Sequence, residues 1–214
     1  MAAAATAAEP DTSEADRWAQ LQRWLDDAPQ PQTVRARFEQ ERHSPLLAEP
    51  VRSRGRLWSA GDVAKLALDE PAPLEMRIGP GRMEILYVQD RVLEVYPAMP
   101  QTLPITAARP DLQQLAEGFR LRELAESDGN QATATLEAHG DMRDHLVSLE
   151  IMFDRARGVV TGAALVDPAG DQTVMTLADI EIGAEVTGDD LALSAPTGVR
   201  VVYPAGQPGD AEAR

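Results

Sequence analysis

From residue 33 onward the chain alternates apolar and polar positions in short runs. VRARFEQERH places Val34, Ala36 and Phe38 on one side and Arg35, Arg37, Glu39 and Glu41 on the other. VRSRGRLW repeats the pattern, with Gly55 and Leu57 opposed to Arg52, Arg54 and Arg56. A period of two is the signature of a half-buried strand. It predicts strands at 34–42, 50–58, 64–69, 74–78, 83–88, 92–96, 131–138, 145–154, 159–166, 172–182 and 199–203. Between them stand turn-like segments: SPLLAEP, SAGD, EPAP, GPG, DRARG and DPAGDQ. FRLRELAES at 119–127 fits both periods, and the hairpin signal DGN behind it favours a strand.

Two segments break the alternation. SEADRWAQLQRWLDDAP reads as a helix, with Ser13 as N-cap, Asp16 three residues on, and Trp18, Leu21 and Leu25 at helical spacing. Trp24 widens its apolar stripe, so the helix has a sheet to lie against, and Pro29 and Pro31 end it. The stretch 97–118 holds four prolines and then Asp111, Leu112, Leu115 and Gly118, which predicts an irregular crossing segment with a short helix. Eleven or so short strands joined by tight turns make a mainly β fold with a few helices, an antiparallel meander that curls into a barrel or half-barrel. The expected organisation is one domain over 13–204, with a disordered tail at 205–214. Residues 1–12 read as a disordered leader or as the join left by a trimmed signal peptide.

Charge and composition narrow the function more than the fold. Among 214 residues, 35 are acidic and 20 basic, a formal charge of −15. That excludes the basic footprint of non-specific nucleic-acid binding and disfavours adsorption to an anionic membrane. With no cysteine there is no disulfide, thiolate metal site or Cys nucleophile. No apolar run is long enough to span a bilayer as a helix. Only 4% of residues are aromatic, so the interior rests on Leu, Val, Ile, Met and Ala. His43, His139 and His145 have no ligand spacing, and His139 and His145 flank GDMRD, a hairpin tip by its composition. The acidic pairs Asp26–Asp27 and Asp189–Asp190 read as solvated surface. No nucleophile–base constellation, phosphate loop or dinucleotide fingerprint is visible, so neither an enzyme nor a cofactor or metal is expected.

The faces that must point inward are unusual for a filled core. Ala36, Ser53, Gly55 and Ala163 are small, and Met76, Met83 and Met175 are adaptable. Two readings stay open at this level. Small residues leave room for an apolar ligand, or they match a tapered core in which a covering helix fills the space.

The order of motifs adds a resemblance. Phe38 and Gln40 follow the first helix; Gly55, Leu57 and Trp58 form a G-x-L-W strand; Tyr96 and Pro97 end a hairpin; Pro196, Gly198, Val199 and Val201 close the chain. From Ser13 to Tyr203 this order resembles the LolA family of periplasmic lipoprotein carriers. The resemblance implies an incomplete, strongly curved antiparallel β-barrel with an α-helical lid over an apolar cavity. It implies a monomeric periplasmic carrier of lipoprotein acyl chains or other lipids, passing them from an inner-membrane transporter to an outer-membrane receptor. Hiding ten methylenes from water is worth about 8 kcal/mol, so such a carrier needs a cavity. The cavity wall would be Phe38, Leu57, Met76, Ile78, Met83, Ile85, Tyr87, Ile151, Phe153 and Met175. Lid material would be Trp18, Leu21 and Leu25 of the first helix, with Met99, Leu103, Ile105, Leu112 and Leu115. Where the well-studied carriers place a basic residue and Pro after G-x-L-W, this chain has SAGDVAKLAL, whose nearest cation is Lys65. The same fold could instead recognise a membrane-anchored partner protein without carrying lipid.

Overall fold

Residues 13–97, 110–127 and 129–206 are described in a computed structural model of the chain. Helix α1 (Glu14–Asp27) starts at Ser13, whose hydroxyl accepts the Asp16 amide and donates to the Asp16 carboxylate. It buries Leu21 and Leu25. Six strands follow as a meander: β1 (Thr33–His43), β2 (Val51–Ala60), β3 (Val63–Glu70), β4 (Leu74–Gly79), β5 (Arg82–Tyr87) and β6 (Val92–Pro97). A short helix α2 (Leu112–Gly118), capped by Asp111, leads into a second meander. Its strands are β7 (Phe119–Glu126), β8 (Gln131–Ala138), β9 (Ser148–Asp154), β10 (Val159–Val166) and β11 (Gln172–Ile182). A single turn α3 (Gly188–Leu191) and the strand β12 (Arg200–Val202) complete the described chain.

The two meanders fuse through β1 and β11, whose register runs from Val34 opposite Ile182 to His43 opposite Gln172. The result is one sheet in the order β12-β6-β5-β4-β3-β2-β1-β11-β10-β9-β8-β7, which does not close. The ambiguous 119–127 segment is a strand, and with it the sheet has twelve. The expected 145–154 strand begins only at Ser148, because Gly140–Asp144 forms a 3₁₀ turn that buries Met142. GDMRD is thus an anchored turn rather than a plain hairpin tip. Among the described strands, antiparallel pairing fails at one place: β12 runs parallel to β6.

Bulges interrupt the ladder at Arg35/Arg37, Arg54/Gly55, Leu121/Glu123 and Val160/Gly162. Extra residues on one strand bend it and increase local twist, which curls a long open sheet. Glycines stand at two of these bulges. A Cβ on Gly55 would collide with the Ala67 carbonyl oxygen and lie 2.9 Å from Cζ of Phe38. A Cβ on Gly162 would lie 2.7 Å from the Met175 carbonyl oxygen. At Gly55 the space is therefore taken by the Phe38 ring and the neighbouring strand, so of the two open readings the filled interior holds at this position.

Candidate functional site

The inner face of the sheet is apolar across both meanders, and cross-strand pairing shows it is a single face. Met175 opposes Ala163, and Ala163 opposes Ile151. Ala36 opposes Leu57, which opposes Leu66, then Met76, then Ile85. Packing divides this face in two. Over β7–β10, Leu21 and Leu25 of α1 and Leu115 of α2 join Phe119, Leu121, Leu136, Leu149, Ile151 and Phe153 in one cluster, with Trp18, Trp24 and Leu112 against it. The Trp24 and Phe153 rings meet at 5.9 Å, and Arg17 Nε donates to the Leu121 carbonyl at 2.9 Å. The expected lid residues of α1 and α2 therefore share a core with Ile151 and Phe153.

A second cluster lies over β1–β5 and β11 and contains no residue of a described helix. Phe38, Leu57, Ile78, Met83 and Met175 are buried in it, together with Ala36, Ala64, Leu66 and Leu177. Leu68, Met76, Ile85, Tyr96 and Ile180 pack against it half-buried. Of the ten expected wall residues, five are thus deep in this cluster. Met76 and Ile85 form its half-exposed surface, Tyr87 stands beside them, and Ile151 and Phe153 belong to the other half. Met99, Leu103 and Ile105 lie outside the described residues.

Two polar features on this inner face were not legible in the chain. Ser59 follows Gly55 and Leu57 on the inward side of β2; it is 0% exposed, and its hydroxyl has no hydrogen-bond partner among the described residues. On β5 and β6, Tyr96 Oη donates to Glu94 Oε2 at 2.8 Å and Tyr87 Oη does so at 3.3 Å. The hydrogen bond to Glu94, then burial, pushes the Tyr96 phenol up to about 12; for Tyr87, burial leads and the Glu94 charge adds to it.

Over β1, β2 and β11 the outer face is built for water. Its ladder of ion pairs includes Arg35–Glu181 at 2.5 Å, Arg54–Glu70 at 2.6 Å and Arg52–Glu41 at 3.2 Å. The hollows between β1, β2 and β11 are lined by these charged groups and suit solvent rather than an acyl chain. Lys65 also faces outward, opposite Trp58. Its Nζ donates to the Ala192 carbonyl at 2.6 Å and pairs with Glu75 at 3.3 Å, while Glu75 accepts the Ser194 amide at 2.6 Å. Lys65 therefore clamps the segment leading to β12 against the outside of the sheet. It does not stand in for a basic lid anchor.

Among the described residues, no cluster of His, Cys, Asp or Glu could hold a metal ion, and no helix is long and apolar enough to cross a membrane. No protein-family model matches the sequence, and neither does any curated protein. Solved structures do match. An uncharacterized conserved protein from Thermus thermophilus superposes with a TM-score of 0.55 at 12% identity, over 86% of this chain and 99% of its own. MucB superposes at 0.50 with 18% identity over 85% of this chain, but only 64% of MucB is covered. A LolA superfamily protein from Nitrosomonas europaea gives 0.46 at 11% identity, over 82% and 97% of the two chains. The chain thus shares the architecture of the Thermus thermophilus protein and of MucB, a mainly β fold whose sheet stays open. At such identities these likenesses concern architecture, and function is argued from the site.

Proposed function

We propose that the protein is a periplasmic lipid carrier that shelters acyl chains on the inner face of β3–β6 during transfer towards the outer membrane. The observation that supports this most is the unequal cover, among the described residues, of one continuous apolar face. Helix α1 packs on the β7–β10 half, whereas Leu68, Met76, Ile85 and Tyr96 remain half-buried on the other, beside a cluster with no described helix. Apolar side chains left in that state gain by burial against a ligand, at about 25 cal/mol per Å². Met76 and Met83 suit a flexible chain because thioether side chains repack easily. The first helix acts here as a fixed wall, and the ligand surface is Met76, Ile85 and Tyr87 over the deeper Phe38, Leu57, Ile78, Met83 and Met175. Native mass spectrometry of protein purified from a periplasmic fraction tests this. Bound lipid, displaced by added palmitate, is the expected result; a lipid-free protein that also fails to bind a fluorescent fatty acid refutes it.

One observation favours a second reading. Phe38 is 1% exposed and Ile78 is 1% exposed, so the deep part of the face is already packed. A sheet whose inner face is self-filled would instead recognise a membrane-anchored partner protein, and the excess negative charge would favour a basic surface on it. Salt-sensitive co-purification of such a protein, without lipid, would select this reading.

A further inference from the structure

Among the described residues, the inner face carries a carboxylate with no cation. Along β6, Val92, Glu94 and Tyr96 alternate onto the inward side. Glu94 is paired with Ile85, Tyr96 with Met83 and Val92 with Tyr87. Ile85 and Met83 in turn oppose Met76 and Ile78, so Glu94 sits on the border of the second apolar cluster. It is half-buried, and both tyrosine hydroxyls bond one oxygen, Oε2. Oε1 has no hydrogen bond and the carboxylate no ion pair among the described residues. On the outer face, by contrast, Arg35, Arg52, Arg54, Arg77 and Arg122 are each paired with a Glu. The strand neighbour β12 brings Arg200 opposite Val92, yet Arg200 is exposed and makes no ion pair there.

We infer that Glu94, Tyr87 and Tyr96 form a head-group site for a cationic amphiphile, whose amine or quaternary ammonium meets the carboxylate while its chain lies over Ile85 and Met76. Two tyrosine hydroxyls hold one carboxylate oxygen, Oε2, and leave Oε1 for a ligand. Their ring faces add cation–π attraction for an ammonium group. A carboxylate partly removed from water favours a cation, and an anionic head there would be repelled at the same distance. This deepens the carrier reading and rests on it, because it assumes that the chain lies on the adjoining apolar surface.

The test compares three twelve-carbon amphiphiles by titration calorimetry below their micelle concentrations: dodecyltrimethylammonium, dodecyl maltoside and dodecanoate. Wild-type protein should bind the cationic one roughly tenfold more tightly than the maltoside, within the range of a partly desolvated cation–aromatic site, and the dodecanoate most weakly. Glu94→Gln should bring the cationic and neutral ligands to within about twofold of each other. Glu150→Gln, which removes the same charge from the exposed side of β9, should retain the preference and serves as the folding and net-charge control. Equal binding of all three by the wild type overturns the head-group site and leaves the acyl-chain reading standing. A cationic preference that survives in Glu94→Gln also overturns it, since the net charge of the molecule would then be the cause. Failure of every ligand to bind overturns both.

Discussion

The tight curl of the sheet makes a strong claim about Gly55. A methyl group there would overlap the carbonyl oxygen of Ala67 on β3 and lie 2.9 Å from the Phe38 ring. The ring can swing, but the carbonyl is held in the β2–β3 ladder between Arg56–Ala67 and Gly55–Leu68 pairing. Overpacking a well-filled interior costs about 1–3 kcal/mol, and a backbone obstacle places Gly55→Ala in the upper part of that range. For a domain of this size, a loss of about 2–3 kcal/mol lowers Tm by about 5–10 °C. Urea unfolding followed by circular dichroism measures it. Phe38→Leu removes only the movable obstacle, so the double variant should be less unstable than the summed single effects, by about 0.5–1 kcal/mol. If Gly55→Ala unfolds within about 0.5 kcal/mol of the wild type, the size of an ordinary surface change, the claim that curvature requires a glycine here is wrong.

Three further outcomes follow from named contacts. Lys65→Met leaves the half-buried Glu75 under the 192–194 segment without its cation and should cost about 2–4 kcal/mol; Lys65→Met with Glu75→Met should recover most of it, and a double variant as unstable as the single contradicts the clamp. In a spectrophotometric tyrosine titration, one phenol should titrate near 12 and move towards the ordinary 10 in Glu94→Gln. Because the folded-state value is raised and the phenol is neutral below it, the contribution of Tyr96 to stability is complete below pH 10 and is lost between 10 and about 12. Leu25→Ala in α1 should cost about 2–5 kcal/mol while leaving affinity for a fluorescent fatty acid unchanged, since Leu25 packs on the β7–β10 half; a parallel loss of affinity would make α1 part of the ligand surface.

Most of the architecture was legible because period-two alternation is local. The charged face of Arg35, Arg37, Glu39 and Glu41 demands water, and the Ser13 cap and the Pro29–Pro31 stop need no tertiary information. The parallel pairing of β12 was not legible, since strand direction across an edge depends on where a connecting segment runs. The site was read less well for a related reason. Alternation tells which side of a strand faces inward but not which part of that face a helix covers, so Ile151 and Phe153 were grouped with Phe38 and Leu57. At Gly55 two readings stayed open because a sequence records missing side-chain volume and not the neighbour that occupies it. Glu94 stood in a run, VLEVYP, where a single charge reads as solvated; only the cross-strand register turns it inward between two tyrosines.

The central claim is that an acyl chain lies on the β3–β6 half of the inner face. Methionine methyl NMR tests it directly, because the methionines sample the sheet at distinct places. Met76 and Met83 belong to the second cluster, Met142 to the one packed by α1, and Met152 lies on the outward side of β9 against Gly162. On titration with palmitate, the Met76 and Met83 methyl signals should shift in step with binding while those of Met142 and Met152 stay in place. Saturation with no movement of Met76 or Met83, or a shift confined to Met142 or Met152, would contradict the account.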